Sequence, residues 1–227
     1  MMNNSVILLS GGLDSLVALG YLKKNPDYDI KLALTFDYGQ KSLLAEVDAS
    51  RKIAQYYNIP HEIIELEWLK NITKTSLVST DEVPTSSFGT FESSKSVWVP
   101  NRNSLFLNIA ACFCDSYGYN TIVYGANKDE AGNFPDNTES FRAQVSECFK
   151  TSTLVKPRVI APLINYSKSD IVRIAVEGFM PLELVRSCYN SSDKHCGKCE
   201  SCDHLKRALL ANNCERYISL LFEDYEI

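Results

Sequence analysis

The string Ser10-Gly11-Gly12-Leu13-Asp14-Ser15 constrains the fold of this chain more than any other stretch. Apolar Val6-Ile7-Leu8-Leu9 runs into it, and Leu16-Val17-Ala18-Leu19 runs out of it. A short apolar run closed by glycines reads as a buried strand, and the run beyond it as the start of a helix. Adjacent glycines close a tight turn and let backbone amides approach an anion. Ser10 and Ser15 add hydroxyl donors, and the helix N-terminus adds partial positive charge. In an open α/β sheet this is where a nucleotide phosphate sits. Asp14 has the wrong sign for a phosphate ligand, so it fits either as a helix cap or as a Mg²⁺ ligand. The lysine of a Walker loop is missing from the string.

The remainder of the chain repeats the strand–helix alternation. Ile30 to Phe36 reads as a second strand, ending in Asp37-Tyr38-Gly39-Gln40, and Leu43 to Tyr57 has apolar residues at helical spacing. His61 to Leu66, Thr121 to Gly125 and Arg158 to Leu163 read as further strands, with helices predicted over Ser104 to Tyr117 and Asp136 to Phe149. Ser167 is placed to cap another helix, with Asp170 in its first turn. A late helix is predicted near Asp203 to Leu210. The alternation predicts a five-stranded parallel sheet with helices on both faces. Thr73 to Val97 is rich in Ser and Thr and reads as a long binding loop or lid. The division expected is an α/β domain over residues 1–180 and a small C-terminal lobe over 181–227.

Cys188, Cys196, Cys199 and Cys202 define that lobe. Thiolates at this spacing suit tetrahedral Zn²⁺, and a four-cysteine set leaves no open position for catalysis. The metal is therefore expected to fasten a segment with little core of its own. The spacing also leaves open His195 or His204 as a replacement ligand, or an iron–sulfur cluster. Cys112, Cys114, Cys148 and Cys214 are scattered and read as ordinary core or surface thiols.

Charge and hydropathy set the class. The net charge of −5 argues against a nucleic-acid partner, whose binding surface is normally basic. No window approaches the roughly 20 apolar residues of a membrane span. No cationic, apolar leader precedes the first strand, so the expected location is cytoplasmic.

The Ser10–Ser15 string resembles the phosphate loop of N-type ATP pyrophosphatases, which cleave ATP between its α and β phosphates. Phe36-Asp37-Tyr38-Gly39-Gln40, Val99-Pro100-Asn101-Arg102-Asn103 and the four cysteines follow it in an order similar to that of the 7-cyano-7-deazaguanine synthase family. The resemblance implies an adenine nucleotide α-hydrolase-like fold, and use of ATP with Mg²⁺ to activate the carboxylate of a 7-deazaguanine for attack by ammonia. It implies a homodimer as well. Ser10, Gly11, Gly12, Leu13, Asp14 and Ser15 would hold phosphates and metal, while Leu34 and Phe36 would border the adenine. Lys168, placed like a lysine of related enzymes, would neutralise pyrophosphate. Asp37, Tyr38 and Gln40 would line the pocket mouth. Arg102 would pair with the substrate carboxylate or a phosphate, Phe134 would stack on the base, and Glu130 and Asp136 would bond to its edge. Asp14, Ser15, Arg102 and Lys168 are the implied catalytic group.

The chain departs from the family pattern at a few positions. Ser42 stands where the family has histidine, Glu130 where it has aspartate, and Asn137-Thr138 where it has Cys-Arg. These changes fall on the acceptor side. They motivate a second reading, in which the same adenylated carboxylate passes to another amine, including one on a protein. Transfer chemistry on tRNA and a non-catalytic zinc module are further readings; ATP consumption separates the module from the enzymes.

Overall fold

Aliphatic runs bounded by polar turns become the strands of one sheet. The computed structural model describes residues 2–85 and 91–223. The elements are β1 (Asn3–Leu8), α1 (Leu13–Lys23), β2 (Tyr28–Asp37), α2 (Leu43–Tyr56), β3 (His61–Glu65), α3 (Glu67–Ile72), α4 (Phe91–Ser96) and α5 (Arg102–Tyr117). They continue with β4 (Thr121–Val123), α6 (Glu139–Ser152), β5 (Arg158–Ile160), α7 (Lys168–Glu177), α8 (Glu200–Leu210) and α9 (Glu215–Leu221). The sheet is five-stranded in the order β3-β2-β1-β4-β5, and every pairing is parallel.

Strand alternation feeds two cores. Ile7 and Ala33 point to one face, where they meet Leu16, Val17 and Leu19 of α1 and Ile171, Val172 and Ala175 of α7. Val6, Leu32, Leu34 and Phe36 point to the other, against Phe106, Leu107 and Ala110 of α5 and Phe149 of α6. Each fully buried aliphatic side chain of this kind stabilises the fold by about 1.5–3 kcal/mol. The first core continues without a break through Val185, Cys188, Leu205, Leu209, Ile218, Leu221 and Phe222. Leu221 and Phe222 thus pack on their own chain, whereas Leu220 is exposed.

The strand order reverses direction at β1, with β2 on one side and β4 on the other. In parallel sheets such a reversal opens a crevice beyond the strand ends. Here it brings Ser10–Ser15, after β1, beside Gly125–Glu130, after β4. A Cβ on Gly125 would come within 3.0 Å of the Asp14 carbonyl carbon and the Ser15 nitrogen, so glycine lets the two loops touch.

Several boundaries differ from the sequence reading. α3, α4 and α9 have six, six and seven residues, too few for apolar spacing to betray them. α4 lies inside the stretch expected to be a structureless loop, and Ser76 there accepts structure from it by donating both its amide (2.9 Å) and its hydroxyl (3.0 Å) to the Ser96 carbonyl. Part of that expected loop, residues 86–90, lies outside the described residues. β5 stops at Ile160 because the chain turns there, with the Ile164 amide donating to the Ala161 carbonyl. α6 begins after Thr138, whose hydroxyl accepts the Phe141 amide at 3.2 Å, and not at Asp136. α7 starts as expected on a capping box formed by Ser167 and Asp170. Among the described residues no helix is long and apolar enough to cross a membrane.

Candidate functional site

The Ser10–Ser15 turn is held by its own hydroxyls. Ser15 Oγ donates to the Gly12 carbonyl at 3.0 Å and lies 3.2 Å from Ser10 Oγ, which accepts the Gly12 amide at 3.3 Å. Gly11 has φ +80°, and a Cβ there would stand 2.8 Å from the Glu46 carbonyl oxygen and 2.9 Å from Ala49 Cβ of α2. Gly12 gives α1 no side-chain cap, and apart from the Leu13 amide, which donates to Ser187 Oγ at 3.4 Å, the first-turn amides keep their intrinsic affinity for an anion. Asp14 is the second residue of α1 and makes no capping bond, which sets aside its reading as a cap.

Asp14 instead belongs to a half-buried charge cluster. Its Oδ2 accepts Lys168 Nζ at 2.6 Å and Asn127 Nδ2 at 3.3 Å. Lys168 Nζ also reaches Glu130 Oε1 at 3.0 Å. Burial pushes the Asp14 carboxyl up, and the nearby Lys168 only partly offsets this. Burial works the same way on Glu130, but there Lys168 and the Asn127 bond outweigh it and hold the carboxyl below its usual range. Burial also disfavours the charged lysine, yet its two carboxylate neighbours hold Lys168 firmly protonated. Asp14 Oδ1 is buried with no hydrogen-bond partner. An orphaned hard oxygen beside anion-binding amides fits Mg²⁺, which favours carboxylate oxygens and phosphate together.

Two cavities meet at this cluster. The loop cavity, about 260 Å³, is lined by Ser10, Gly12, Leu13, Asp14 and Ser15, and on its apolar side by Leu34, Phe36 and Phe106. Phe36 and Phe106 stack with centroids 3.9 Å apart. The second cavity, about 110 Å³, is lined by Trp98, Phe134, Asp136, Glu200 and His204 among others. Arg102, Glu130, Asn137, Lys168, Tyr189 and Ser201 line both.

Arg102, the first residue of α5, donates to the Tyr38 hydroxyl at 2.9 Å and lies 5.6 Å over its ring. It has no carboxylate ion pair among the described residues, so its remaining donors face the cavities. Burial pushes the Tyr38 phenol up, against the pull of Arg102. Trp98 and Phe134 lie nearly parallel, 8° apart with centroids at 5.9 Å. Asp136 Oδ1 accepts Asn137 Nδ2 at 3.1 Å, and burial pushes its carboxyl up despite Arg102. Asp37 and Gln40 line neither cavity. Asp37 takes the Gly39 amide at 3.0 Å, and Gln40 bridges the Phe36 carbonyl (3.0 Å) and Glu46 (2.9 Å), so both hold the turn after β2.

The cysteines form a compact quartet. The sulfurs of Cys188, Cys196, Cys199 and Cys202 all lie within 4.8 Å of one another. Tetrahedral zinc with bonds of about 2.3 Å requires that closeness. Amides of Asn190, Cys196 and Cys199 donate to the sulfurs, each at 3.4 Å, which favours thiolates. His195 is no ligand: its Nε2 accepts the Ser187 amide at 2.9 Å and its Nδ1 lies 3.2 Å from the Leu221 carbonyl. His204 faces the second cavity. The cysteine segment is tied to the phosphate loop, for the Arg186 amide donates to the Gly11 carbonyl (2.8 Å) and the Leu13 amide to Ser187 Oγ (3.4 Å).

Residues 4–213 match the family model described as queuosine biosynthesis protein QueC. The chain belongs to this family. It is 47% identical over 213 residues to the 7-cyano-7-deazaguanine synthase of Carboxydothermus hydrogenoformans, covering 91% of this chain and 98% of that one. The synthase of Methanosarcina barkeri is 44% identical over 215 residues, covering 90% and 92%. In fold the chain is similar to the NMN synthetase of Francisella tularensis, with TM-score 0.52 and 16% identity over 100% of this chain and 90% of that one. It is also similar to a 4-thiouridine synthetase in a complex with RNA and bound ATP, with TM-score 0.51 and 21% identity over 96% and 53%. Those two likenesses concern the fold alone.

Within the QueC family, the departures have local roles here. Ser42 donates to Glu46 Oε1 at 2.6 Å, Thr138 caps α6, and Asn137 buttresses Asp136. Sequence reading passed over Asn127, Trp98, Ser187, Tyr189 and Glu200. Trp98 carried a signal, being an aromatic beside Val97 and Val99 in an otherwise Ser/Thr-rich stretch, and Tyr189 directly follows Cys188 of the quartet.

Proposed function

We propose that this chain makes 7-cyano-7-deazaguanine from 7-carboxy-7-deazaguanine, ammonia and ATP, acting as an ATP-dependent carbon–nitrogen ligase. The observation that carries the reading is Lys168, whose ammonium bridges Asp14 of the phosphate loop at 2.6 Å and Glu130 at 3.0 Å, in the wall shared by both cavities. A fixed positive charge at that junction stands between a nucleotide in the loop cavity and an acceptor in the second.

The chain's own groups account for the demands of the reaction. A carboxylate oxygen leaves poorly, so it must first be joined to the α-phosphate with release of pyrophosphate. Ser10, Ser15 and the first-turn amides of α1 would hold the departing phosphates, and Lys168 would stabilise the charge that develops on them. Arg102, with donors left over from Tyr38, would align the substrate carboxylate for in-line attack. Ammonia then displaces AMP to give the amide. A second activation of the amide oxygen, and its loss, leaves the nitrile. Leu34, Phe36 and Phe106 would flank the adenine, and Phe134 with Trp98 the deazaguanine. Asp14 would hold Mg²⁺, whose charge neutralises pyrophosphate when bound. Zinc on the four cysteines would be structural. A homodimer and a small-molecule acceptor with no nucleic acid complete the reading; the net charge of −5 supports the latter.

Mass spectrometry of a reaction with 7-carboxy-7-deazaguanine, ATP, Mg²⁺ and ammonium tests this directly. Nitrile with AMP and pyrophosphate is the expected result. AMP formed without nitrile, with amide or another conjugate in its place, would overturn it.

A further inference from the structure

A substrate held with its carboxylate at the junction of the cavities must point its far edge away from that junction. On a 7-carboxy-7-deazaguanine the far edge is the six-membered ring, with its N1–H and 2-amino donors side by side. The side chains that line the second cavity alone are the ones able to meet it. Three of these are carboxylates: Asp129, Asp136 and Glu200. Asp129 accepts the Lys168 amide at 2.7 Å, and Asp136 accepts Asn137 Nδ2 at 3.1 Å. Glu200 is 8% exposed, and its carboxylate has no hydrogen bond or ion pair with any described residue.

The Glu200 oxygens are not among the fully buried side-chain atoms left without a partner, so they reach the open volume of the cavity and are free to take donors from a ligand. Glu200 opens α8, and the N-terminal field of that helix favours negative charge without satisfying the oxygens. Its backbone is fixed independently, because its amide donates to the Pro84 carbonyl at 3.0 Å and it follows the metal ligand Cys199. The side chain is thus presented to the cavity from a rigid base.

We propose that Glu200 is the specificity-determining residue for the heterocycle, accepting N1–H and the 2-amino group with its two oxygens. This rests on the deazaguanine reading above. It makes the cysteine segment part of the substrate site: the same few residues hold the metal and read the base. Asp136, held by Asn137 and facing Arg102, then shapes the pocket without reading its far edge.

The experiment compares 7-carboxy-7-deazaguanine with its 2-desamino counterpart on the full chain, with zinc content measured for every variant. The unaltered protein is expected to favour the 2-amino compound in kcat/KM. Glu200→Gln should raise KM for 7-carboxy-7-deazaguanine by about 10- to 100-fold, the worth of charge-assisted bonds left unmade. It should also abolish the preference between the two compounds, while KM for ATP and zinc content stay unchanged. Glu200→Asp should restore part of the preference. Retention of the full preference in Glu200→Gln would overturn the proposal. So would loss of zinc and of ATP affinity in both variants, which would make Glu200 merely structural. If the unaltered protein turns over neither compound, the deazaguanine reading itself has failed.

Discussion

The two cavities share a wall but differ in what stands at their centre. The loop cavity is centred on the contiguous string Ser10–Ser15, with Leu34, Phe36 and Phe106 on its apolar side, and distant segments add Arg102, Lys168 and Arg186 around it. The second cavity draws on stretches scattered from Leu77 to His204. On the proposed reading, the first would bind largely through backbone amides that the turn supplies. The other would bind through side chains that only this tertiary arrangement gathers. A fold can therefore keep its nucleotide chemistry while its acceptor changes, and differences among family members should concentrate in the scattered wall.

Stripping the metal should collapse the distinction, because the cysteine segment touches both cavities. Chelation under reducing conditions is expected to lower the melting temperature sharply and to weaken ATP binding at once, structural zinc being worth about 10–16 kcal/mol in small zinc-folded peptides. Calorimetry with metal analysis checks this; zinc loss with unchanged ATP affinity would show that the Arg186 and Ser187 ties are idle. Next in size, Lys168→Met should lower kcat by about 100- to 1,000-fold, as when a fixed transition-state charge partner is removed. Single-turnover AMP release is the readout.

A pair of milder changes separates the cavities. Trp98→Ala should raise KM for the deazaguanine acid by about 5- to 100-fold, the usual value of one base–aromatic stack, and leave KM for ATP alone. Phe36→Leu should do the reverse. Equal effects on both substrates from either variant would mean that the cavities act as one.

The smallest effect belongs to the cap that launches Lys168. Ser167→Ala should cost about 1 kcal/mol of stability. Asp170 in the same box is held down to about 2 by its bonds from Ser167 and Arg173. A depressed carboxyl contributes stability above its ordinary value near 4 and loses it as pH falls toward 2. Asp170→Asn should flatten that part of the acid-unfolding profile, which circular dichroism can follow.

How much of this was legible in the sequence follows from the same contrast. The strand, the glycine turn and α1 are contiguous, so their chemistry could be read along the chain. The cysteine quartet declared itself by spacing. Lys168 and Arg102 were reached only through resemblance, since nothing local tells a buried lysine from a surface one. Asp37 and Gln40 sit in the same short string as Tyr38, yet the turn of Gly39 directs those two into bonds that hold the turn, while Phe36 and Tyr38 line the cavity. Asn127 and Glu200 gave no signal because their meaning lies in partners, or the lack of them, from distant segments. α9 was missed because its seven residues lean on a core already built by others.

The bond from the Leu13 amide to Ser187 Oγ spans 174 residues of chain. A ribosome makes the phosphate loop first and its brace last. Throughout most of synthesis the nascent sheet can form while its catalytic turn lacks the partner that steadies it. If the turn binds nucleotide as proposed, that competence arrives late and together with the cysteine segment. A chain broken off before Ser187 would carry a full set of strands and lack this brace, so premature products would be expected to bind less well without any separate mechanism to restrain them.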